Sequence, residues 1–155
     1  MSERVVAIIQ ARMGSSRLPG KVTADLAGRT LLEFLVERVK RCKLLDRLIL
    51  ATTDSPSDDC LVDLAGKMNI TVYRGSKDDV LDRYAIASML TDAQVIVRLT
   101  GDCPLLDPNL IDVVIKSFLD QKFDYLSNCY PPSYPDGLDV EVFNKKVLLA
   151  ASEAC

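Results

Sequence analysis

Short apolar runs rich in β-branched residues alternate along the chain with longer segments in which apolar residues recur every three or four positions. The short runs are typical of strands buried on both faces of a parallel sheet, and the longer segments are typical of amphipathic helices. This pattern predicts strands over residues 5–10, 47–53, 70–73, 95–100, 125–127 and 138–143. It predicts helices over residues 30–42, 58–68, 79–90 and 109–121, and the beginning of another helix after residue 144.

The alternation of strands and helices predicts the fold class. It indicates a single α/β domain, with a Rossmann-like, doubly wound and mostly parallel sheet and helices on both faces. Two helix-start signals agree with it, since Thr30 and Glu33 have the spacing of a capping box and Pro108 follows Asp107 where a helix begins. Ligands of such sheets bind beyond the carboxyl ends of the strands, so the loops that follow the strands form the candidate site.

Charge and composition exclude several classes of function. The 155 residues have a net charge of −3, so a general nucleic-acid or anionic-membrane surface is not expected. The chain has no histidine, which excludes a Ser/His/Asp triad within it and removes the commonest general base. Residues 1–29 nevertheless carry five basic groups against two acidic ones, a local charge of +3. We therefore expect a small polyanion to bind near this end of the chain.

The cysteines and the N-terminal sequence bear on the cellular compartment. The five cysteines are an odd number without a CxxC pair, which argues against a disulfide framework or a zinc site. They are Cys42, Cys60, Cys103, Cys129 and Cys155. The N-terminus does not resemble a signal peptide, and no apolar run approaches the roughly 20 residues that cross a bilayer. We expect a cytoplasmic protein whose cysteines serve mainly in packing.

The loop after the first predicted strand has the composition of a triphosphate-binding loop. A glycine permits close approach of backbone N–H groups to a phosphate, serine hydroxyls add donors, and basic side chains add charge. The loop contains Gly14, Ser15 and Ser16, and the three cations Arg12, Arg17 and Lys21. It matches neither the dinucleotide-binding nor the P-loop pattern. The alternative interpretation is a surface turn with scattered basic residues.

Three carboxylates are candidate oxygen ligands for a metal ion. Asp102 follows the strand over residues 95–100, and Gly101 permits the turn between them, so that a hard oxygen ligand would face the ligand crevice. Asp139 and Glu141 are two positions apart on a predicted strand and therefore share one of its faces. A turn residue at Asp102 and a solvated strand edge at the later pair are the alternatives.

Four segments, in order, resemble the cytidylyltransferases that activate acidic sugars. The resemblance is strongest to the SpsF-like branch of spore-coat polysaccharide biosynthesis, whose relatives include the CMP-KDO and CMP-sialic acid synthetases. The segments are AIIQARMGSSRLPGKV, ATTDSPSDD, YRGSKDDVLDRY and RLTGDCPLLDP, at residues 7–22, 51–59, 73–84 and 98–108. The resemblance implies a fold of the nucleotide-diphospho-sugar transferase type. It also implies Mg²⁺-dependent nucleotidyl transfer, with CTP as the expected donor and an acidic sugar as acceptor.

The resemblance also implies roles for individual residues. The catalytic set would be Arg12, Arg17, Lys21 and Asp102, with Asp102 holding Mg²⁺ together with Asp139 or, as the alternate, Glu141. The nucleotide would contact Ala11, Arg12, Gly14, Ser15, Ser16, Arg17, Lys21, Arg74 and Thr100. Asp54 and the loop from Arg74 would complete the nucleotide and sugar pocket. The alternative interpretation is that Asp54 caps the following helix and Arg74 pairs with a local acid.

The sequence departs from the family pattern in two ways. Thr100 stands where the KDO- and sialate-activating relatives usually carry Gln, and Val22 stands where many carry Asn, which leaves the identity of the base open. The chain also stops inside an apolar helix containing Val147, Leu148 and Leu149. Because family members are longer and dimeric, we expect a truncated chain that exposes an apolar patch there or forms a homodimer.

Two other functions are compatible with this fold. A nucleotide-sugar-dependent glycosyltransferase would need a DxD metal motif, which the Asp-Val-Glu sequence at residues 139–141 only approximates. A nucleotide-binding domain without turnover is the second alternative. Pyrophosphate release from CTP in the presence of Mg²⁺ and sugars would distinguish these three functions.

Overall fold

The computed structural model describes residues 3–154 and has a six-stranded sheet at its centre. Its strands are β1 (Val5–Gln10), β4 (Arg47–Thr53), β5 (Thr71–Gly75), β6 (Val95–Thr100), β7 (Tyr125–Ser127) and β8 (Glu141–Asn144). Their order across the sheet is β5-β4-β1-β6-β8-β7. The first four strands in this order are parallel, and β8 is antiparallel to both of its neighbours.

Five helices cover the two faces of the sheet. They are α1 (Leu31–Val39), α2 (Asp59–Lys67), α3 (Val80–Met89), α4 (Pro108–Gln121) and α5 (Lys145–Glu153). The first, second and fourth pack on one face, and α3 and α5 pack on the other. The predicted α/β class, with a mostly parallel sheet between two helical layers, is confirmed.

Strand β1 lies in the middle of the parallel strands, and its burial explains the uninterrupted apolar run at the start of the chain. Val5, Ala7 and Ile9 pack under α1, α2 and α4, whereas Val6 and Ile8 pack under α3 and α5. All five side chains are at most 2% exposed. Full burial of a side chain of the size of Ile stabilises the fold by about 1.5 to 3 kcal/mol, so this strand contributes strongly to both cores.

The start of α1 is fixed by the predicted capping box. The Glu33 amide donates to Thr30 Oγ1 at 3.2 Å, and the Thr30 amide donates to the Glu33 carboxylate at 2.8 Å. The hydrogen bonds from Thr30 lower the pKa of Glu33 below its ordinary value of 4.5. A short hairpin of β2 (Asp25–Leu26) and β3 (Arg29–Thr30) precedes the helix. The sequence pattern missed this hairpin because strands of two residues show no periodicity.

The last strand begins later than predicted. It starts at Glu141, because the buried side chain of Asn128 holds the preceding segment in an irregular conformation. Asn128 Nδ2 donates to the Leu138 carbonyl at 2.8 Å, and the Val140 amide donates to Asn128 Oδ1 at 2.8 Å. Asp139 is exposed and lies outside the strand. The prediction that Asp139 and Glu141 share a strand face is therefore wrong.

The C-terminal apolar block is only partly exposed. Leu148 is 5% exposed and packs against the core, Leu149 is half-buried, and Val147 is 38% exposed. The expectation of an exposed patch is wrong for Leu148. Cys155 lies outside the described residues. Within residues 3–154 there is no helix with the length and apolar character needed to cross a membrane.

Candidate active site

A cavity of about 260 Å³ opens where β1 and β6 end side by side. The parallel register pairs Gln10 with Thr100, so the loops that follow the two strands leave the sheet next to each other. The first loop contributes Ala11, Arg12, Ser15, Ser16, Arg17 and Lys21 to the lining. The second strand and its turn contribute Arg98, Thr100, Gly101 and Asp102. The structure thus brings together residues of the first and fourth sequence motifs.

The backbone of Met13 determines the shape of the first loop. Its carbonyl accepts hydrogen bonds from the amides of Ser15 and Gly20, both at 2.9 Å. Gly20 has φ +72°, which a glycine adopts without strain, and it leads into a 3₁₀ turn over Lys21–Thr23. The loop therefore turns back on itself and returns Lys21 to the cavity. Gly14, which we expected to contact phosphate, is exposed and does not line the cavity.

Gly101 permits the close approach of the two loops. Its amide donates to the Gln10 carbonyl at 2.7 Å. A Cβ atom at this position would lie 2.7 Å from the Cβ atom of Ala11 and 2.8 Å from the Gln10 carbonyl oxygen. Real Cβ atoms essentially never approach other atoms so closely, so glycine is required for this geometry.

Lys21 and Asp102 form an ion pair across the cavity. Their side chains are 24% and 36% exposed, so solvent reaches both. Burial alone would raise the pKa of Asp102, but the hydrogen bond and the positive charge of Lys21 lower it below its ordinary value of 3.8. Asp102 is therefore ionised at neutral pH, as a Mg²⁺ ligand must be.

The other two cations of the loop have no such partner. Within residues 3–154, Arg12 and Arg17 form neither an ion pair nor a side-chain hydrogen bond. Burial lowers the pKa of the nearby Arg83, and the charge of Arg12 lowers it further. Arg12 and Arg83 are therefore close enough for their charges to repel each other. Arg12 and Arg17 are thus free to bind an anion in the cavity.

The two late carboxylates have different surroundings. Burial raises the pKa of the Cys103 thiol, and the charges of Asp102, Asp139 and Asp136 raise it further. The charge of Asp139 thus acts on Cys103, the neighbour of Asp102 in sequence. Glu141 instead forms an ion pair with Arg98 and accepts a hydrogen bond from the Tyr125 hydroxyl at 2.6 Å. Both of its carboxylate oxygens are occupied, which makes Asp139 the better candidate for a second metal ligand.

The donor set fits a magnesium ion that is shared with phosphate groups. Among the described residues no three His, Cys, Asp or Glu side chains form a group that could hold a metal ion by themselves. Mg²⁺, however, usually binds through one or two carboxylates together with substrate phosphates and water. Asp102, ionised and beside two free arginines, fits that arrangement.

Arg74 and Asp54 do not lie in this cavity. Arg74 pairs with Asp59 at 2.7 Å and donates to the carbonyls of Thr53 at 2.9 Å and Ser55 at 2.8 Å. The alternative interpretation, pairing with a local acid, is confirmed for Arg74. Asp54 is exposed, and α2 begins after Asp58, so the alternative interpretation in which Asp54 caps that helix is wrong.

The sequence reasoning missed two residues near the site. Arg98 lines the cavity and is held by Glu141, and its guanidinium lies 5.8 Å from the centre of the Tyr84 ring. Its position two residues before Thr100 on the same strand was the available signal. Asp58, which is 1% exposed, accepts a hydrogen bond from the Met13 amide at 2.8 Å. No sequence pattern distinguished it from an ordinary helix-start residue.

A larger cavity of about 440 Å³ lies at the opposite edge of the sheet, where β4 and β5 begin. Its lining includes Arg47, Leu48, Thr71 and Cys42, and none of its lining residues belongs to the four sequence motifs. Burial, followed by the charge of Asp112, raises the pKa of Cys42 to about 12, so this thiol is unreactive at neutral pH. The smaller cavity, which holds the free cations and Asp102, is the candidate active site.

Together, the fold and this cavity define an α/β domain with a cationic ligand site at the carboxyl edge of its sheet. A family model described as cytidylyltransferase matches residues 6–153. The chain belongs to the cytidylyltransferase family.

Known proteins agree with this assignment. The chain is 43% identical to the spore coat polysaccharide biosynthesis protein SpsF of Bacillus subtilis over 152 residues, which are 96% of this chain and 62% of that protein. It is 39% identical over 116 residues to the 3-deoxy-manno-octulosonate cytidylyltransferase of Trichlorobacter lovleyi, covering 75% of this chain and 45% of that protein. The chain thus spans less than two thirds of each of these relatives.

A solved structure agrees in fold. A cytidylyltransferase from Leptospira borgpetersenii serovar Hardjo-bovis superposes with a TM-score of 0.95 at 36% identity, covering 99% of this chain and 66% of that chain. The nucleotidyltransferase type of α/β fold, expected from the sequence resemblance, is therefore confirmed.

Proposed function

We propose that this chain carries the nucleotide site of an enzyme that transfers a cytidylyl group from CTP to an acidic sugar and releases pyrophosphate, in surface polysaccharide biosynthesis. The observation that carries the proposal is the cavity in which the free Arg12 and Arg17 lie beside the ion pair of Lys21 and Asp102. The family membership supports the cytidylyl group. The names of the two relatives support a sugar acceptor and a polysaccharide product.

The reaction joins a sugar oxygen to the α-phosphorus of the triphosphate. The new phosphorus–oxygen bond forms as the bond from the α-phosphorus to the bridging oxygen of pyrophosphate breaks, and the sugar hydroxyl loses its proton to a carboxylate or to solvent. Arg12 and Arg17 would bind the phosphates and stabilise the charge that develops on the departing pyrophosphate. The Lys21 ammonium group would leave its ion pair with Asp102 and bind a phosphate oxygen instead.

Asp102 would hold Mg²⁺, with Asp139 as the second carboxylate. The ion, when bound, neutralises phosphate charge and orients the in-line attack. Once Lys21 turns to the phosphate, Oδ2 of Asp102 becomes available. We also propose that the enzyme is a homodimer, with the apolar surface around Val147 near the contact.

The glycosyltransferase alternative is not favoured by the site. Its DxD motif would require Glu141 to bind a metal ion, but this carboxylate pairs with Arg98 and Tyr125. A domain that binds nucleotide without turnover would bind CTP and release no pyrophosphate when Mg²⁺ and a panel of acidic sugars are added.

The loop assignment is tested by replacing Arg17. A charge-assisted hydrogen bond contributes about 1.5 to 3 kcal/mol, so Arg17→Ala should weaken CTP binding roughly tenfold to a hundredfold in calorimetry. Arg29→Ala is the matched control, because Arg29 lies in the same basic segment but pairs with Glu37 and does not line the cavity. Unchanged CTP affinity in a folded Arg17→Ala protein would contradict the proposal.

A further inference from the structure

Asp58 is a buried carboxylate that is satisfied by neutral donors. It is 1% exposed, and within the described chain it forms no ion pair with a Lys or Arg side chain. Burial alone would raise its pKa, but hydrogen bonds from Thr53, Met13 and Thr52 lower it below the ordinary value of 3.8. A buried charge is costly unless its hydrogen bonds are complete, so these donors form a tightly determined group.

The two oxygens of this carboxylate bind two different parts of the chain. Oδ2 accepts the hydroxyls of Thr52 at 3.0 Å and Thr53 at 2.5 Å, and the amide of Thr53 at 3.2 Å. These donors belong to the end of β4. Oδ1 accepts the amide of Met13 at 2.8 Å and, at the longer distance of 3.4 Å, the hydroxyl of the adjacent Ser57. Asp58 therefore joins the carboxyl end of the sheet to the loop that carries the cations.

Met13 transmits this constraint to the rest of the loop. Its carbonyl accepts the amides of Ser15 and Gly20, which form the two sides of the turn. Arg12 directly precedes Met13, and Arg17 lies within the turn that Met13 closes. The single bond from Met13 to Asp58 thus orients the segment on which both free arginines lie.

The charge of Asp58 acts in the same region. The positive charge of Arg12 lowers the pKa of the buried Arg83, after burial itself, whereas the charge of Asp58 raises it. The charge of Asp58 therefore offsets part of the effect of Arg12 on Arg83.

We propose that Asp58 is a positioning residue of the nucleotide site, whose buried carboxylate holds Met13 and so fixes Arg12 and Arg17 in place before the triphosphate binds. This inference rests on the proposed function for the identity of the ligand. It does not rest on that function for the loop geometry, because the contacts of Asp58 and Met13 that shape the loop lie within the chain itself. Asp58 itself need not touch the nucleotide.

The experiment compares Asp58→Ala and Asp58→Asn with a structural control, Leu61→Ala. Leu61 lies on the same helix α2 and is fully buried, but it packs in the core between helix and sheet. Two readouts are measured on the 155-residue chain at a temperature where every variant is folded. They are the dissociation constant of CTP with Mg²⁺ by calorimetry and the hydrogen exchange rates of the Met13, Ser15 and Gly20 amides by NMR.

We expect Asp58→Ala to weaken CTP binding by about tenfold or more and to accelerate exchange at the three amides. Asp58→Asn should fall between this variant and the wild type, because its amide oxygen can still accept the Met13 N–H while its NH₂ group faces the Thr53 donors. Leu61→Ala should lower the melting temperature but change CTP affinity by no more than about twofold.

Two results would overturn the inference. One is wild-type CTP affinity and wild-type exchange at Met13 in a folded Asp58→Ala or Asp58→Asn protein. The other is a loss of CTP affinity in Leu61→Ala as large as that in the Asp58 variants, which would show general destabilisation. If the wild-type chain does not bind CTP, the proposed function fails, and the exchange rate of the Met13 amide still decides whether Asp58 positions the loop.

Discussion

Replacement of Gly101 by Ala tests whether the close approach of the two loops creates the site. The added Cβ atom would lie 2.7 Å from the Cβ atom of Ala11, 2.8 Å from the Gln10 carbonyl oxygen and 3.3 Å from the Cα atom of Ala11. Ordinary contacts begin at 3.4 Å, so the neighbours must move by about 0.7 Å. None of these atoms is the end of a flexible side chain, so the backbone after β1 must shift.

The shift should reduce both stability and affinity. Overpacking of this kind costs about 1 to 3 kcal/mol, which in a domain of this size lowers the melting temperature by about 2 to 12 °C. The hydrogen bond from Gly101 to Gln10, now 2.7 Å, would lengthen. Because the displaced residues lead directly to Arg12, we expect CTP binding to weaken by more than about tenfold, as misplacement by about 1 Å is costly in a site of this kind.

The control is Gly66→Ala on helix α2. A Cβ atom there meets no atom within 4 Å, and alanine is the better helix former, so this variant should gain about 0.5 to 1 kcal/mol and bind CTP normally. Thermal unfolding and calorimetry with CTP and Mg²⁺ are measured on both variants. A Gly101→Ala protein with the stability and CTP affinity of the wild type would refute the steric reasoning, because the backbone would then have moved at no cost.

Two further predictions concern the carboxylates. Asp102→Asn should abolish the Mg²⁺-dependent part of CTP affinity and leave the Mg²⁺-independent part unchanged. Calorimetry with and without EDTA separates the two parts. Equal affinities of the Asp102→Asn and wild-type proteins in the presence of Mg²⁺ would exclude Asp102 as a ligand. The pKa values of Asp58 and Asp102 are lower in the folded state than their ordinary value of 3.8. The two ionised carboxylates therefore contribute stability that is fully present above the ordinary pKa and is lost as the pH falls through the pKa values of the folded state. Chemical unfolding should therefore show that the free energy of unfolding falls less steeply between neutral and acid pH in Asp58→Asn than in the wild type. Parallel curves for the two proteins would contradict the assignment.

The buried parts of the fold were predictable from the sequence because their periodicity is a direct consequence of burial. Strand β1 is apolar at every position from Val5 to Ile9 because side chains on both of its faces enter a core. The start of α1 was predictable from Thr30 and Glu33 alone, since a capping box is made by residues close in sequence. The position of the cavity followed from the fold class, because neighbouring parallel strands end at the same edge.

The contacts that decide individual roles were not predictable in the same way. Glu141 was a candidate metal ligand, but the antiparallel register places it opposite Arg98, and no local pattern specifies that register. Asp139 leaves the strand because Asn128, from an earlier part of the chain, bonds to both of its neighbours. Arg74 is held by Asp59 and by two carbonyls at and beyond the end of β4. Each of these outcomes depends on side chains that meet only after the sheet has formed.

Two of the contacts that hold the basic loop at the carboxyl edge of the sheet differ in kind. The bond from Met13 ends on the buried carboxylate of Asp58, and breaking it would remove one donor from that carboxylate and leave the Met13 amide without its partner. The pair of Lys21 and Asp102 is open to solvent, and pairs of this type contribute only about 0 to 1 kcal/mol. A triphosphate can therefore bind Lys21, and a metal ion can bind Asp102, at little cost in free energy. The bond from Met13 to Asp58 meanwhile keeps the loop in place. Such a loop would exchange its ion partners without refolding, as the proposed binding of a triphosphate and release of pyrophosphate would require.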